Sequence, residues 1–187
     1  MKLIRTDIPD LIIIEPTVFE DERGYFFESY NQINLLNDGI DLVFVQDNQS
    51  KSGYGVIRGL HYQLNPTAQS KLVRVLEGAI WDVAVDIRKG SPTYGKWLGV
   101  ELSSENKKQL LVPQGFAHGF SVISDNAVVF YKCDTFYSPA NERGIQYNDP
   151  ILNIDWKIPA SKQILSGKDQ KHPKFENADI NFFYPKC

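Results

Sequence analysis

The 187-residue chain has little of several things that would point to a function directly. It has two cysteines, Cys133 and Cys187, and they share no motif spacing. A disulfide framework and a thiolate zinc site are therefore not expected. It has no excess of positive charge: the net charge is −3 and the pI near 5.6. A nucleic-acid surface needs a basic stripe, so no nucleic-acid partner is expected, although a few local arginines would still suffice for a small anionic ligand. Long apolar runs are missing. The longest near the N-terminus, Leu11 to Ile14, is too short for a signal-peptide core or a membrane span, which makes the cytoplasm the expected compartment and excludes a membrane partner. No Gly-rich dinucleotide fingerprint is present, so no nicotinamide or flavin is expected. Without an internal repeat or a linker-like tract, residues 1–187 read as one domain, long enough to bury a full core.

What is present is mostly strand. The segment 80–87 alternates Trp81, Val83 and Val85 with Ile80, Asp82 and Ala84, a period of two. The runs "LVFVQDNQS", "GVIRGLHYQ", "KLVRVLEG", "KWLGVELS", "KQLLVP", "FAHGFSVIS" and "AVVFYKCDTFYSP" surround it, separated by turn signals such as "KSGY", "SPTYG" and "SSEN". Many short strands with regular turns imply an all-β sandwich or barrel, with the jelly roll as the leading form. One helix is expected in "SYNQINLLNDG", capped by Ser29, with Ile33 and Leu36 on one apolar face, and stopped by Gly39. After Pro139 the strand rhythm is lost and a loop-like tail is expected.

Histidine is scarce: His61, His118 and His172 are all there is. Pro113, Gly115 and His118 have the P-x-G-x-x-H spacing of cupin-type jelly rolls. Metal cupins pair two histidines two residues apart and add a glutamate. Here Gln63 takes the second place of the pair and no glutamate follows closely, so two histidines stand where three or four ligands are wanted and no metal is expected. His61 is then left to act as a base or as packing, since a free imidazole titrates near neutrality. Arg23, Arg58, Lys71 and Arg74 are either solvated edge charges or part of an anion-binding mouth. Tyr131 and Tyr137 are either packing or, for a tyrosine facing a histidine across a cavity, a proton donor. Lys168 and Asp169 read as a solvated turn unless the tail folds back to orient His61.

Taken in order, "DERGYFFES", "VQDNQS", "GVIRGLHYQ", "KLVRV", "GAIWDVAVDIRKGSPTYGKW", "LLVPQGFAHGF", "YKCDTFYSP" and "LSGKDQ" closely resemble the dTDP-4-dehydrorhamnose 3,5-epimerase family. The resemblance implies a cupin-type jelly roll acting on a dTDP-sugar without a cofactor. It implies that His61 is the base, with Asp169 as its partner, that Tyr131 returns a proton from the opposite face, and that Lys71 stabilises the enolate. It places Arg23, Glu28, Gln46, Asn48, Arg58, His118, Glu142 and Lys168 around the nucleotide-sugar and Tyr137 against the thymine. It also implies a homodimer with exchanged N-terminal strands, Arg23 and Glu28 reaching the neighbouring subunit's substrate. The chain departs from the family pattern at Ser70 and Gly167 without touching a proposed catalytic group. A C3-only or C5-only epimerase, a 3,4-ketoisomerase and a binding-only cupin are the alternatives. One geometric demand follows: Arg58 and His61 lie three residues apart, so a regular strand would point them to opposite faces, and Gly59 must bulge or twist the strand if both line one site.

Overall fold

A computed structural model describes residues 1–185, so Cys187 lies outside the described residues. One sheet has six strands in the order β1 (Lys2–Arg5), β2 (Ile12–Glu15), β10 (Gln109–Val112), β7 (Lys71–Glu77), β12 (Asn126–Cys133) and β5 (Gln46–Gly53). The second has five: β13 (Glu142–Gly144), β6 (Ile57–Gln63), β11 (Phe116–Val122), β8 (Ala79–Asp86) and β9 (Trp97–Ser103). All pairings within them are antiparallel. A separate hairpin joins β3 (Phe19–Asp21) to β4 (Gly24–Phe26). The all-β sandwich follows the strand rhythm of the sequence.

The alternation in β8 explains how the layers stack. Ile80 and Ala84 enter a core with Val73, Val75 and Val129 of the six-stranded sheet. Val83, Val85 and Ile87 face the other way, into a second cluster with Ile145, Trp156, Phe175 and Phe182 from the tail. A side chain of this size is worth roughly 1.5–3 kcal/mol when fully buried. The tail is thus a third layer, held because it covers an apolar sheet face. It also supplies β13 and several 3-10 turns, which the loss of strand rhythm after Pro139 did not suggest.

Three local expectations need correction. The helix α1 (Gln32–Asn37) is capped by Asn31, whose Oδ1 accepts from the Ile33 and Asn34 amides, and not by Ser29. Its buried residue is Leu35, while Ile33 and Leu36 are exposed, because the short helix lies on the sheet with a single side chain inward. Gly39 does end it: at φ 83° it lets the Gly39 and Ile40 amides return to the Leu36 and Leu35 carbonyls. In the "LVFVQDNQS" run only the part from Gln46 is strand, and β5 continues through Lys51 and Ser52 to Gly53, so the "KSGY" turn begins later than expected.

The demand on Gly59 is met. His61 pairs with His118 and Arg58 with Phe120, so three steps on β6 oppose two on β11, a bulge. Gly59 has φ +129°, and a Cβ there would lie 2.5 Å from Gly119 Cα and 2.9 Å from the His118 carbonyl. Only glycine fits this crossing. With the extra residue absorbed, Arg58 and His61 line the same cavity.

Candidate active site

The cavity opens between the sheets. Its outer part, 290 Å³, is bounded by Gln46, Asn48, His61, Lys71, Tyr131 and Glu142. An adjoining part, 230 Å³, shares His61, Lys71 and Tyr131 and adds Arg58 and His118. His61 comes from β6 of one sheet, whereas Lys71 and Tyr131 come from adjacent strands, β7 and β12, of the other. The sandwich therefore sets an imidazole opposite a phenol and an ammonium.

The tail folds back onto His61. Asp169 Oδ1 lies 2.5 Å from His61 Nε2, and the Ser166 hydroxyl donates to Asp169 Oδ2 at 2.9 Å. Burial alone would raise the Asp169 pKa, but the hydrogen bonds and positive charge of its neighbours, His61 foremost, hold it below the ordinary carboxylate range. With Nε2 engaged by Asp169, His61 Nδ1 is the ring nitrogen left for a substrate. His172 packs edge-on against His61, ring centroids 5.4 Å apart at 78°. Burial, and then the neighbouring His61, pushes its pKa down. Its ring sits in the hollow over Gly144, where a Cβ would come within 2.5 Å of it.

Across the cavity, burial raises the Tyr131 pKa, which keeps the phenol protonated, and lowers that of Lys71. Lys71 Nζ lies 5.8 Å from the centre of the Tyr131 ring. Burial drives the thiol of Cys133, the cross-strand partner of Lys71, up to about 11, which keeps it neutral. At the floor, His118 Nε2 is 2.8 Å from Asp82 Oδ1, both side chains being buried. Arg58 Nε donates to Ser52 Oγ at 3.0 Å. At the mouth, Glu142 accepts from the Tyr137 hydroxyl at 2.6 Å and pairs with Lys168 at 2.5 Å. Gln46 accepts from the Tyr137 amide at 2.9 Å and donates to Asn48 at 3.2 Å.

Eleven of the thirteen expected residues thus meet around this cavity or at its rim, and two do not. Arg23 stands at the tip of the β3–β4 hairpin, 85% exposed and paired with Asp21. Glu28 accepts from Asn31 and Asn34 and lines a different pocket, beneath that hairpin. β1 pairs with β2, and β2 with β10, within the chain.

The cupin metal set does not form. Gln63 is consumed by loops, its amide donating to the Thr67 carbonyl at 2.7 Å and accepting from Ser138 N at 2.5 Å. His118 is turned to Asp82. A different trio of donors does come together, His61, Asp169 and His172, whose ligand atoms lie within 4.8 Å of one another. Sequence reading did not associate His172, Asp82, Ser52 or Ser166 with the site. Asp82 was the findable one, an aspartate on the inward face of an apolar strand between Ile80 and Ala84; nothing in the irregular tail flags His172 or Ser166.

A cupin-like β-sandwich that sets an imidazole opposite a phenol across one cavity carries the group types that proton transfer at carbon requires. The family model for dTDP-4-dehydrorhamnose 3,5-epimerase matches residues 5–177, and the chain belongs to that family and is an enzyme of the epimerase kind. The dTDP-4-dehydrorhamnose 3,5-epimerase of Shigella flexneri is 56% identical, over 96% of this chain and 98% of its own. The crystal structure of dTDP-4-dehydrorhamnose 3,5-epimerase from Elizabethkingia anophelis superposes with a TM-score of 0.90 at 57% identity, covering 95% of this chain and 97% of that one. The dTDP-6-deoxy-D-glucose-3,5-epimerase of Legionella pneumophila, solved in complex with dTDP-4-keto-L-rhamnose, superposes with a TM-score of 0.95 at 48% identity over 99% of both chains.

Proposed function

We propose that this chain inverts C3 and C5 of dTDP-4-dehydro-6-deoxy-D-glucose to give dTDP-4-dehydro-L-rhamnose, a step of dTDP-L-rhamnose biosynthesis. The observation that carries the reading is the placement of His61 and Tyr131 on opposite sheets with one cavity between them. Inversion at carbon needs a proton removed from one face and returned to the other, and two groups of different type can do this.

His61 Nδ1 takes the proton alpha to the C4 ketone, leaving the electron pair in an enolate. Asp169 stabilises the imidazolium that forms and keeps the ring oriented. Lys71, with His118 beside it, faces the C4 oxygen where negative charge develops; losing one such donor typically costs about 3 kcal/mol of transition-state stabilisation. Tyr131 then donates its proton to the opposite face. No step calls on a metal or a nicotinamide.

Arg58 and Lys168 suit the diphosphate, Gln46, Asn48 and Glu142 the nucleotide-sugar, and the Tyr137 ring, 49% exposed, the thymine. The chain acts as a homodimer with exchanged N-terminal strands, in which Arg23 and Glu28 complete the partner's site. The outward position of Arg23 at the hairpin tip and the exposed Phe19, Tyr25 and Phe26 of the hairpin favour this arrangement.

Incubation with the 4-keto substrate in D2O, followed by a reductase that traps the L-rhamno product, tests the assignment. Deuterium at both C3 and C5 is the expected result. Label at one carbon alone marks a mono-epimerase, migration of the carbonyl marks a ketoisomerase, and no label at all rejects enzymatic proton transfer.

A further inference from the structure

The cupin pattern of ligands offers only His61 and His118, with Gln63 in the place of a third, and leaves His172 out. In the fold His61 and His172 meet at one carboxylate. Asp169 Oδ1 is 2.5 Å from His61 Nε2 and 3.5 Å from His172 Nε2. His172 Nε2 is buried and has no hydrogen-bond partner among the described residues. A buried ring nitrogen without a partner, beside a carboxylate and a second imidazole, is a donor lacking an acceptor or a cation.

We propose that His61 Nε2, Asp169 Oδ1 and His172 Nε2 form a site for a single divalent transition-metal cation, Zn2+ foremost, and that occupying it switches the base off. Two imidazoles and a carboxylate are a ligand set that Zn2+ accepts, with a solvent molecule from the cavity in the open position. Zn–N and Zn–O bonds of about 2 Å place neighbouring donors about 3.3 Å apart in a tetrahedron. The His172–Asp169 separation of 3.5 Å already suits this. The His61–Asp169 pair opens from 2.5 Å by under about 1 Å. His172 is held for the role by the hollow at Gly144, which is paired in register with His61 on β13 and β6. Any side chain at 144 would take the space of the ring.

The effect on catalysis follows from where the proton sits. In the metal-free protein neutral His61 carries its proton on Nε2, shared with Asp169, and Nδ1 holds the free electron pair. A cation bound to Nε2 uses that nitrogen's electron pair, so the one ring proton must move to Nδ1. The nitrogen facing the substrate then has no pair with which to take a proton. This inhibitory half rests on the reading of His61 as the base; the binding half does not.

The test is a titration of the full chain, stripped of metal, with Zn2+ alone, followed by calorimetry and by turnover. Binding of one Zn2+ per chain is expected, with inhibition at the same midpoint and recovery on adding EDTA. His172→Phe should weaken binding and inhibition together, by about tenfold or more, each compared with that variant's own metal-free activity. Co2+ loaded into the unmodified chain should give the visible bands of a low-coordinate nitrogen–oxygen site, and the variant should lack them. Unchanged Zn2+ affinity in His172→Phe, binding without inhibition, or turnover that rises with Zn2+ would each overturn the proposal. Zn2+ bound through His172 in a chain that exchanges no substrate protons would uphold the site and count against the epimerase reading.

Discussion

The two walls of the cavity are built on opposite principles. On the β6 wall every working group is tied: His61 to Asp169, Asp169 to Ser166, Arg58 to Ser52 and His118 to Asp82. On the facing wall Lys71 and Tyr131 are defined by burial, which lowers the pKa of one and raises that of the other. The difference matches what each wall has to do in the proposed mechanism. A base that gains positive charge in every turnover needs a fixed counter-charge, whereas an acid that must hold its proton until the enolate forms is served by a site that disfavours the phenolate.

Substitutions can break this contrast, and the largest effect belongs to the tied wall. His61→Asn should lower turnover by about 10⁴-fold, the upper end for general-base catalysis, measured by coupling to the reductase. Asp169→Asn leaves the base in place but removes its counter-charge, and a loss of about 10³-fold with little change in KM is expected. Lys71→Met on the burial-defined wall should cost about 10²-fold in kcat, the loss of one enolate-stabilising donor. The smallest effect concerns stability. The folded-state pKa of Asp169 lies below its ordinary value, so its contribution is present above the unfolded carboxylate range and is lost as the pH falls through the depressed folded value. The melting-temperature gap between the unmodified chain and Asp169→Asn should therefore be about 2–5 °C at neutral pH and close at strongly acid pH. A gap that widened on acidification would show that Asp169 is not held ionised by its neighbours.

The same contrast governs what could be read from the sequence. The strands were legible because alternation is a local property: the period of two in β8 announces both its burial and the odd inward Asp82. The Gly59 bulge was legible as a requirement, since residues 58 and 61 can share a face only if the pleat is broken. Pairing across the tail was not legible. Its 3-10 turns carry no periodicity, and whether Ser166, Asp169 and His172 converge on His61 is decided by Trp156, Phe175 and Phe182 seating the tail on the five-stranded sheet. Asp169 was reached through family resemblance and His172 not at all. The helix misreading has a similar origin, because with one buried position α1 has no apolar stripe to read.

The central claim is that base and acid occupy opposite faces of one cavity and act separately. Hydrogen exchange by the Tyr131→Phe variant in D2O tests this most directly. With His61 intact, the variant should still wash deuterium into the substrate alpha to the ketone, while inversion falls away, most clearly at C5. Loss of exchange equal to that in His61→Asn, or mild and equal effects of the two substitutions, would contradict the account.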